Sequence, residues 1–202
     1  MAAVVAMPLG TAAAQPCPDV EVVFARGTSE PPGVGRVGQA LADALIPALG
    51  GRTVATYGVN YPASYDFLNT AVGADDASNR IAFMAQQCPG TRIVLGGYSQ
   101  GAAVVDMLAG VPPLGNRIGD IGSAPPLPAG LNGNVAAVAV FGNPATKFGN
   151  PVSAAGSFAG KAIDLCADGD PICSGGRNPF AHTRYETSPF IAQAAGFAAS
   201  RI

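Results

Sequence analysis

A serine hydroxyl becomes a useful nucleophile only when a base takes its proton. The base in turn needs a partner that fixes its tautomer and balances its positive charge. The chain holds a single histidine, so the base for any such serine is His182 by elimination. Ser99 has the setting such chemistry needs, because Gly97-Tyr98-Ser99-Gln100-Gly101 matches the G-x-S-x-G spacing of a sharp strand-to-helix turn that leaves a hydroxyl exposed. The demand on the two glycines is steric, since a side chain at either would collide with the neighbouring strand or helix. Three aspartates ahead of His182 could supply the acid: Asp164, Asp168 and Asp170. Asp164 lies inside an apolar run and reads as a strand residue, whereas Asp168 reads as a turn residue bonding its own backbone.

These residues need elements that bring them together. Asp19 to Phe24, Thr53 to Val59, Ile93 to Leu95, Val135 to Phe141 and Lys161 to Cys166 are short β-branched or apolar runs bounded by Gly, Pro or Asn, and they read as strands. Val37, Leu41, Leu45 and Leu49 recur at helical spacing, a second helical pattern runs from about Phe67 to Gln87, and Gly73 could break it in two. Further helices are expected from Gln100 to Ala109 and from Pro189 to Arg201, with a Pro- and Gly-rich loop between Val111 and Gly133. Val135 to Phe141 is apolar throughout, as a strand covered on both faces must be. Strands alternating with helices predict a three-layer α/β/α sandwich with a mostly parallel sheet and its chemistry at the strand ends. The order serine, acid, histidine is the order of α/β hydrolases.

The 202 residues are 49% hydrophobic and 12% charged, a composition that suits one globular domain from residue 15 to 202. The net charge of -2 comes without a Lys/Arg cluster, which argues against nucleic acid or a polybasic membrane contact. Met1 to Ala14 is small and apolar and ends in Ala12-Ala13-Ala14, and it reads as a signal-peptide remnant that lacks a basic start. No later run is long enough to span a bilayer.

Four cysteines suit an exported protein with two disulfides, for which three pairings exist. Cys166 and Cys173 are close enough to clip one loop, which leaves Cys17 for Cys88. A zinc site is the competing reading, disfavoured by the absence of C-x-x-C spacing and by the lone histidine.

Cys17-Pro18-Asp19 leading to Phe24-Ala25-Arg26-Gly27-Thr28, the Ser99 pentapeptide, and Cys166-Ala-Asp-Gly-Asp170-Pro-Ile-Cys173 ahead of His182 together resemble the cutinase family, most closely its actinobacterial cutinase-like esterases. The resemblance runs from about Cys17 to the C-terminus. It implies a lidless α/β hydrolase, secreted, with bridges Cys17–Cys88 and Cys166–Cys173 and a Ser99–His182–Asp170 triad. It also implies an oxyanion hole formed by the N–H of Gln100 and by Thr28 through its N–H and hydroxyl. The substrates implied are carboxylic esters with short to medium acyl chains. A cutin-like polyester or lipid ester is within that class, and a monomer working without cofactor or metal is expected.

Rival readings are a phospholipase or thioesterase with the same triad, or a cell-envelope binding protein or antigen without catalysis. Arg26 is expected to be structural, Tyr98 to pack in the core, and Asn178 to Ala181 to form a wall of the acyl site, with Phe180 either in that wall or simply partly buried.

Overall fold

A computed structural model of the chain describes residues 16–115 and 121–202, so the expected signal segment lies outside the described residues. Among the described residues five strands form one sheet: β1 (Val20–Ala25), β2 (Val54–Gly58), β3 (Arg92–Tyr98), β4 (Val135–Phe141) and β5 (Ala162–Leu165). Their spatial order is β2-β1-β3-β4-β5, and every pairing is parallel. Parallel neighbours require crossovers, and the crossovers here are built on the helices. These are α1 (Gly35–Ala48), α2 (Thr70–Gln87), α3 (Gln100–Ala109) and the one-turn α4 (Pro144–Lys147); the one-turn α5 (Pro179–His182) and α6 (Phe190–Ala199) follow the last strand.

The sheet has a core on each face, and strand alternation sorts residues between them. Val20, Val22 and Phe24 of β1 pack with Val37, Leu41 and Leu45 of α1 and Ala194 and Ala198 of α6. Val23 and Ala25 point the other way, toward Ile81 and Met84 of α2 and Val104 and Leu108 of α3. Every residue of β1 and β4 is buried, which is why both read as near-continuous apolar runs. The one charge in β1, Glu21, is buried and ion-paired with Arg80 of α2.

Gly73 does not break α2 as expected. A Cβ there would lie 2.8 Å from a Val104 methyl, so the glycine lets α2 approach α3 closely. Among its described residues the loop from Val111 to Gly133 carries a 3₁₀ turn at Ala129–Leu131, and another such turn at Phe67–Asn69 precedes α2. Among the described residues no helix is long and apolar enough to cross a membrane.

Both expected disulfides are formed, Cys17–Cys88 with a sequence separation of 71 and Cys166–Cys173 with one of 7. The long bridge ties the segment entering β1 to the end of α2. Closing so large a loop removes much of the unfolded chain's freedom, so Cys17→Ser/Cys88→Ser is expected to lose about 4 kcal/mol of stability. Urea unfolding against the parent protein measures this, and a loss smaller than that of the equivalent change at Cys166 and Cys173 would contradict it.

Candidate active site

The C-terminal ends of β1, β3, β4 and β5 converge on Ser99. The serine is the N-cap of α3 with φ 55° and ψ -115°, a left-handed backbone that a non-glycine residue adopts only under constraint. The constraint is local packing. A Cβ on Gly97 would sit 2.1 Å from Gly101 O, and one on Gly101 would sit 1.9 Å from Ala25 O, so strand, turn and helix touch backbone to backbone.

His182 reaches Ser99 from the other side of the sheet order. A helical turn carries it: Asn178 Oδ1 accepts the Phe180 N–H, Pro179 occupies the first helical position, and His182 closes α5. His182 Nε2 lies 2.8 Å from Ser99 Oγ, and Nδ1 lies 2.8 Å from Asp170 Oδ2. A carboxylate beside Nδ1 places the imidazole proton there and turns the Nε2 lone pair to the serine hydroxyl. Asp170 is fully buried. Burial works to raise its carboxyl, and hydrogen bonds from His182, from Tyr185 and from the Ile172 N–H together outweigh it, holding the group below the usual carboxylate range.

The other two aspartates are elsewhere. Asp164 accepts hydrogen bonds from Asn143 Nδ2, Thr146 Oγ1 and the Ser153 N–H, which makes it an anchor for the loop after β4. Asp168 is exposed.

Thr28 and Gln100 meet across the cleft. The N–H of Gln100, at the start of α3, and the N–H of Thr28 have no hydrogen-bond partner among the described residues. The Thr28 hydroxyl, expected to face the oxyanion, instead donates to Gln100 Oε1 at 3.0 Å, while Gln100 Nε2 donates to Thr70 Oγ1 at 3.0 Å. The Gln100 side chain therefore clamps the Thr28 loop to the start of α2. Glu30 fixes the same loop by accepting the Gly27 N–H at 2.7 Å, and Arg36 holds Glu30 in turn. Arg26 is structural, as expected: its guanidinium donates to the carbonyls of Glu30, Val59 and Tyr61.

A cleft of about 490 Å³ opens over Ser99 and His182. Tyr65, Phe67, Leu114, Ile121, Pro144 and Ile172 give it an apolar lining, and Glu30 and Arg36 are its charged groups among the described residues. Phe180 is not part of this lining. It stands 65% exposed, with the Arg184 guanidinium 5.8 Å from its ring, so neither expected setting applies. Tyr98 does more than pack, since its hydroxyl donates to His182 O at 2.6 Å and its ring centroid lies 5.1 Å from the imidazole.

Three site-forming residues carried no signal in the sequence pattern. Glu30 and Tyr185 hold the Thr28 loop and Asp170, respectively. Asn143 donates to both Asp106 and Asp164 and so fixes the turn at Gly142, where a Cβ would fall 2.7 Å from the imidazole. The partner Asp106 is fully buried, and burial pushes its carboxyl well above the usual value.

The cutinase family profile matches residues 16–202. The chain belongs to the cutinase family. It is 51% identical over 187 residues to Phospholipase Culp4 of Mycobacterium tuberculosis, covering 92% of this chain and 80% of that protein. It is 50% identical over 189 residues to Probable carboxylesterase Culp3 of the same species, covering 92% of this chain and 70% of the relative. Among solved structures it resembles a Trichoderma reesei cutinase in complex with a phosphonate inhibitor, with TM-score 0.73, 40% identity, and coverage of 92% of this chain and 77% of that one. The fold is thus that of the α/β-hydrolase cutinases, with the whole described sheet parallel.

Proposed function

We propose that this chain, a carboxylic ester hydrolase of the cutinase family, works through Ser99, His182 and Asp170 and an acyl-enzyme intermediate. The observation that carries this reading is the unbroken run of contacts from Ser99 Oγ to His182 Nε2 and from Nδ1 to Asp170 Oδ2, each 2.8 Å long. Ser99 Oγ attacks the ester carbonyl as its proton passes to His182 Nε2. The carbonyl oxygen becomes an oxyanion, held by the N–H groups of Gln100 and Thr28 at the positive end of α3. His182 then protonates the departing alcohol as the C–O bond breaks, leaving the acyl group on Ser99. Water, deprotonated by the same nitrogen, attacks the acyl-enzyme and releases the acid. The imidazole must start neutral to act as the base, so an acid limb is expected in the pH–activity profile.

The apolar lining suits an acyl chain, and a cleft of about 490 Å³ suits short to medium lengths. Two disulfides suit an oxidising compartment outside the cytosol. A second reading, a phospholipid ester as the natural substrate, is favoured by the 51% identity to a relative named as a phospholipase. Labelling with a fluorophosphonate tests the mechanism: the adduct is expected on the peptide containing Ser99, and an adduct on any other serine would refute the assignment. A panel of p-nitrophenyl esters from acetyl to palmitoyl beside phosphatidylcholine separates the two substrate readings.

A further inference from the structure

We propose that Tyr185 is a positioning residue of the ester-hydrolysing site, acting through Asp170; this rests on the triad reading above. The Asp170 carboxylate is fully committed. Its Oδ1 accepts the Ile172 N–H at 2.7 Å, while Oδ2 accepts both His182 Nδ1–H at 2.8 Å and the Tyr185 hydroxyl at 2.7 Å. The phenol and the imidazole therefore share one oxygen.

The hydroxyl has its proton free for that bond. Tyr185 accepts the Ala167 N–H at 2.9 Å, and its one other polar neighbour among the described residues, Cys173 Sγ at 3.5 Å, belongs to a disulfide and bears no proton. Burial pushes the phenol up, so it stays a donor across any working pH. The ring is buried among Tyr98, Phe141 and Phe190, with centroids 5.8, 5.9 and 6.0 Å away, and it stands edge-on to the imidazole at 6.2 Å. The oxygen's position is set by this packing and not by the carboxylate it serves.

Two effects follow. A donor on Oδ2 fixes the rotation of the carboxylate so that its lone pair faces Nδ1. It also takes up part of the negative charge, which moderates how strongly Asp170 favours the imidazolium. Without it the carboxylate would hold the imidazolium more tightly, and His182 would be a less available base at a given pH. Among the described residues, the other charged or titratable groups near the imidazole are Tyr98 of β3, Glu30 and Arg36 at the cleft, Glu186, which pairs with Arg36, and Arg184, which lies over the Phe180 ring. Tyr185→Phe alters none of them.

Tyr185→Phe keeps the ring and removes the donor. The acid limb of kcat/KM against pH is expected to move upward by about half a unit to one unit, and kcat to fall by about tenfold, with KM unchanged. In an Asp170→Asn background the same change should cost no further kcat. Placing 3-fluorotyrosine at position 185 by codon suppression gives a stronger donor in an intact fold, and the limb must then move to lower pH. An unmoved limb in both variants, or an equal kcat loss in the Asp170→Asn background, makes Tyr185 a packing residue and overturns the proposal. The triad reading is judged separately, by the acid limb of the parent enzyme: its absence refutes that reading, whereas its presence without movement refutes only the role of Tyr185.

Discussion

Ser99→Ala is expected to lower kcat on p-nitrophenyl butyrate by about a millionfold, because the members of a triad act as one unit and Ser99 Oγ is the one hydroxyl among the described residues bonded to His182 Nε2. The substitution is a clean one. Alanine keeps the Cβ, so it inherits the same left-handed backbone at φ 55°, and the close packing of Gly97 and Gly101 around it is untouched. Only the hydroxyl and its bond to His182 are lost. The melting temperature should therefore stay close to that of the parent, and substrate should still bind in the apolar cleft. Stopped assays on purified protein, with a melting curve beside them, check both statements. Turnover retained within a hundredfold of the parent would remove Ser99 from the mechanism.

Asp170→Asn is expected to cost about ten-thousandfold in kcat, the scale of neutralising a triad carboxylate without disturbing its shape. Asp170 Oδ2 accepts from two donors, His182 Nδ1 and the Tyr185 hydroxyl. An amide in its place offers one oxygen and one NH₂. If the NH₂ faces the ring, Nδ1 must accept, the proton moves to Nε2, and Ser99 meets a donor where it needs a base.

Asp164→Asn should behave differently. That carboxylate accepts from Asn143, Thr146 and Ser153, so losing an acceptor is expected to cost about 1 to 3 kcal/mol of stability while kcat changes little. Measuring kcat and urea midpoints on both variants decides the matter, and a larger kcat loss for Asp164→Asn would reverse the assignment. The pH dependence of stability has a definite sign as well. Asp170 is held below the usual carboxylate range, so its contribution is present above the unfolded-state value and is lost as pH falls through the folded one; Asp170→Asn should flatten the acid limb of the stability curve.

The fold was legible because each strand carried its own evidence. Val135 to Phe141 could only be a doubly covered strand, and Val37, Leu41 and Leu45 could only form a helix face. Ser99 and His182 were legible because the first sits in a pentapeptide whose glycines have a steric reason and the second has no competitor. Asp170 was not readable from the residues alone: three aspartates lay within reach, and the family resemblance chose among them.

What escaped the sequence acts across the sheet. Tyr185 meets Asp170 from 15 positions away, and Gln100 meets Thr28 from 72, contacts that no local period encodes. Gly73 illustrates the opposite error: read along the chain it looks like a helix breaker, whereas its purpose is the distance between two helices. Phe180 misled in the same way, since an aromatic beside the histidine need not face the histidine's cleft.

The two bridges follow one another along the chain, 17 with 88 and then 166 with 173, without interleaving. A chain oxidised as it is synthesised thus meets its cysteines in matched pairs. When Cys88 emerges, Cys17 is its sole available partner, and Cys166 and Cys173 appear only after that thiol pair has been consumed. Correct pairing then needs no reshuffling, whereas refolding the fully reduced chain exposes all four thiols at once and opens the two mispaired alternatives.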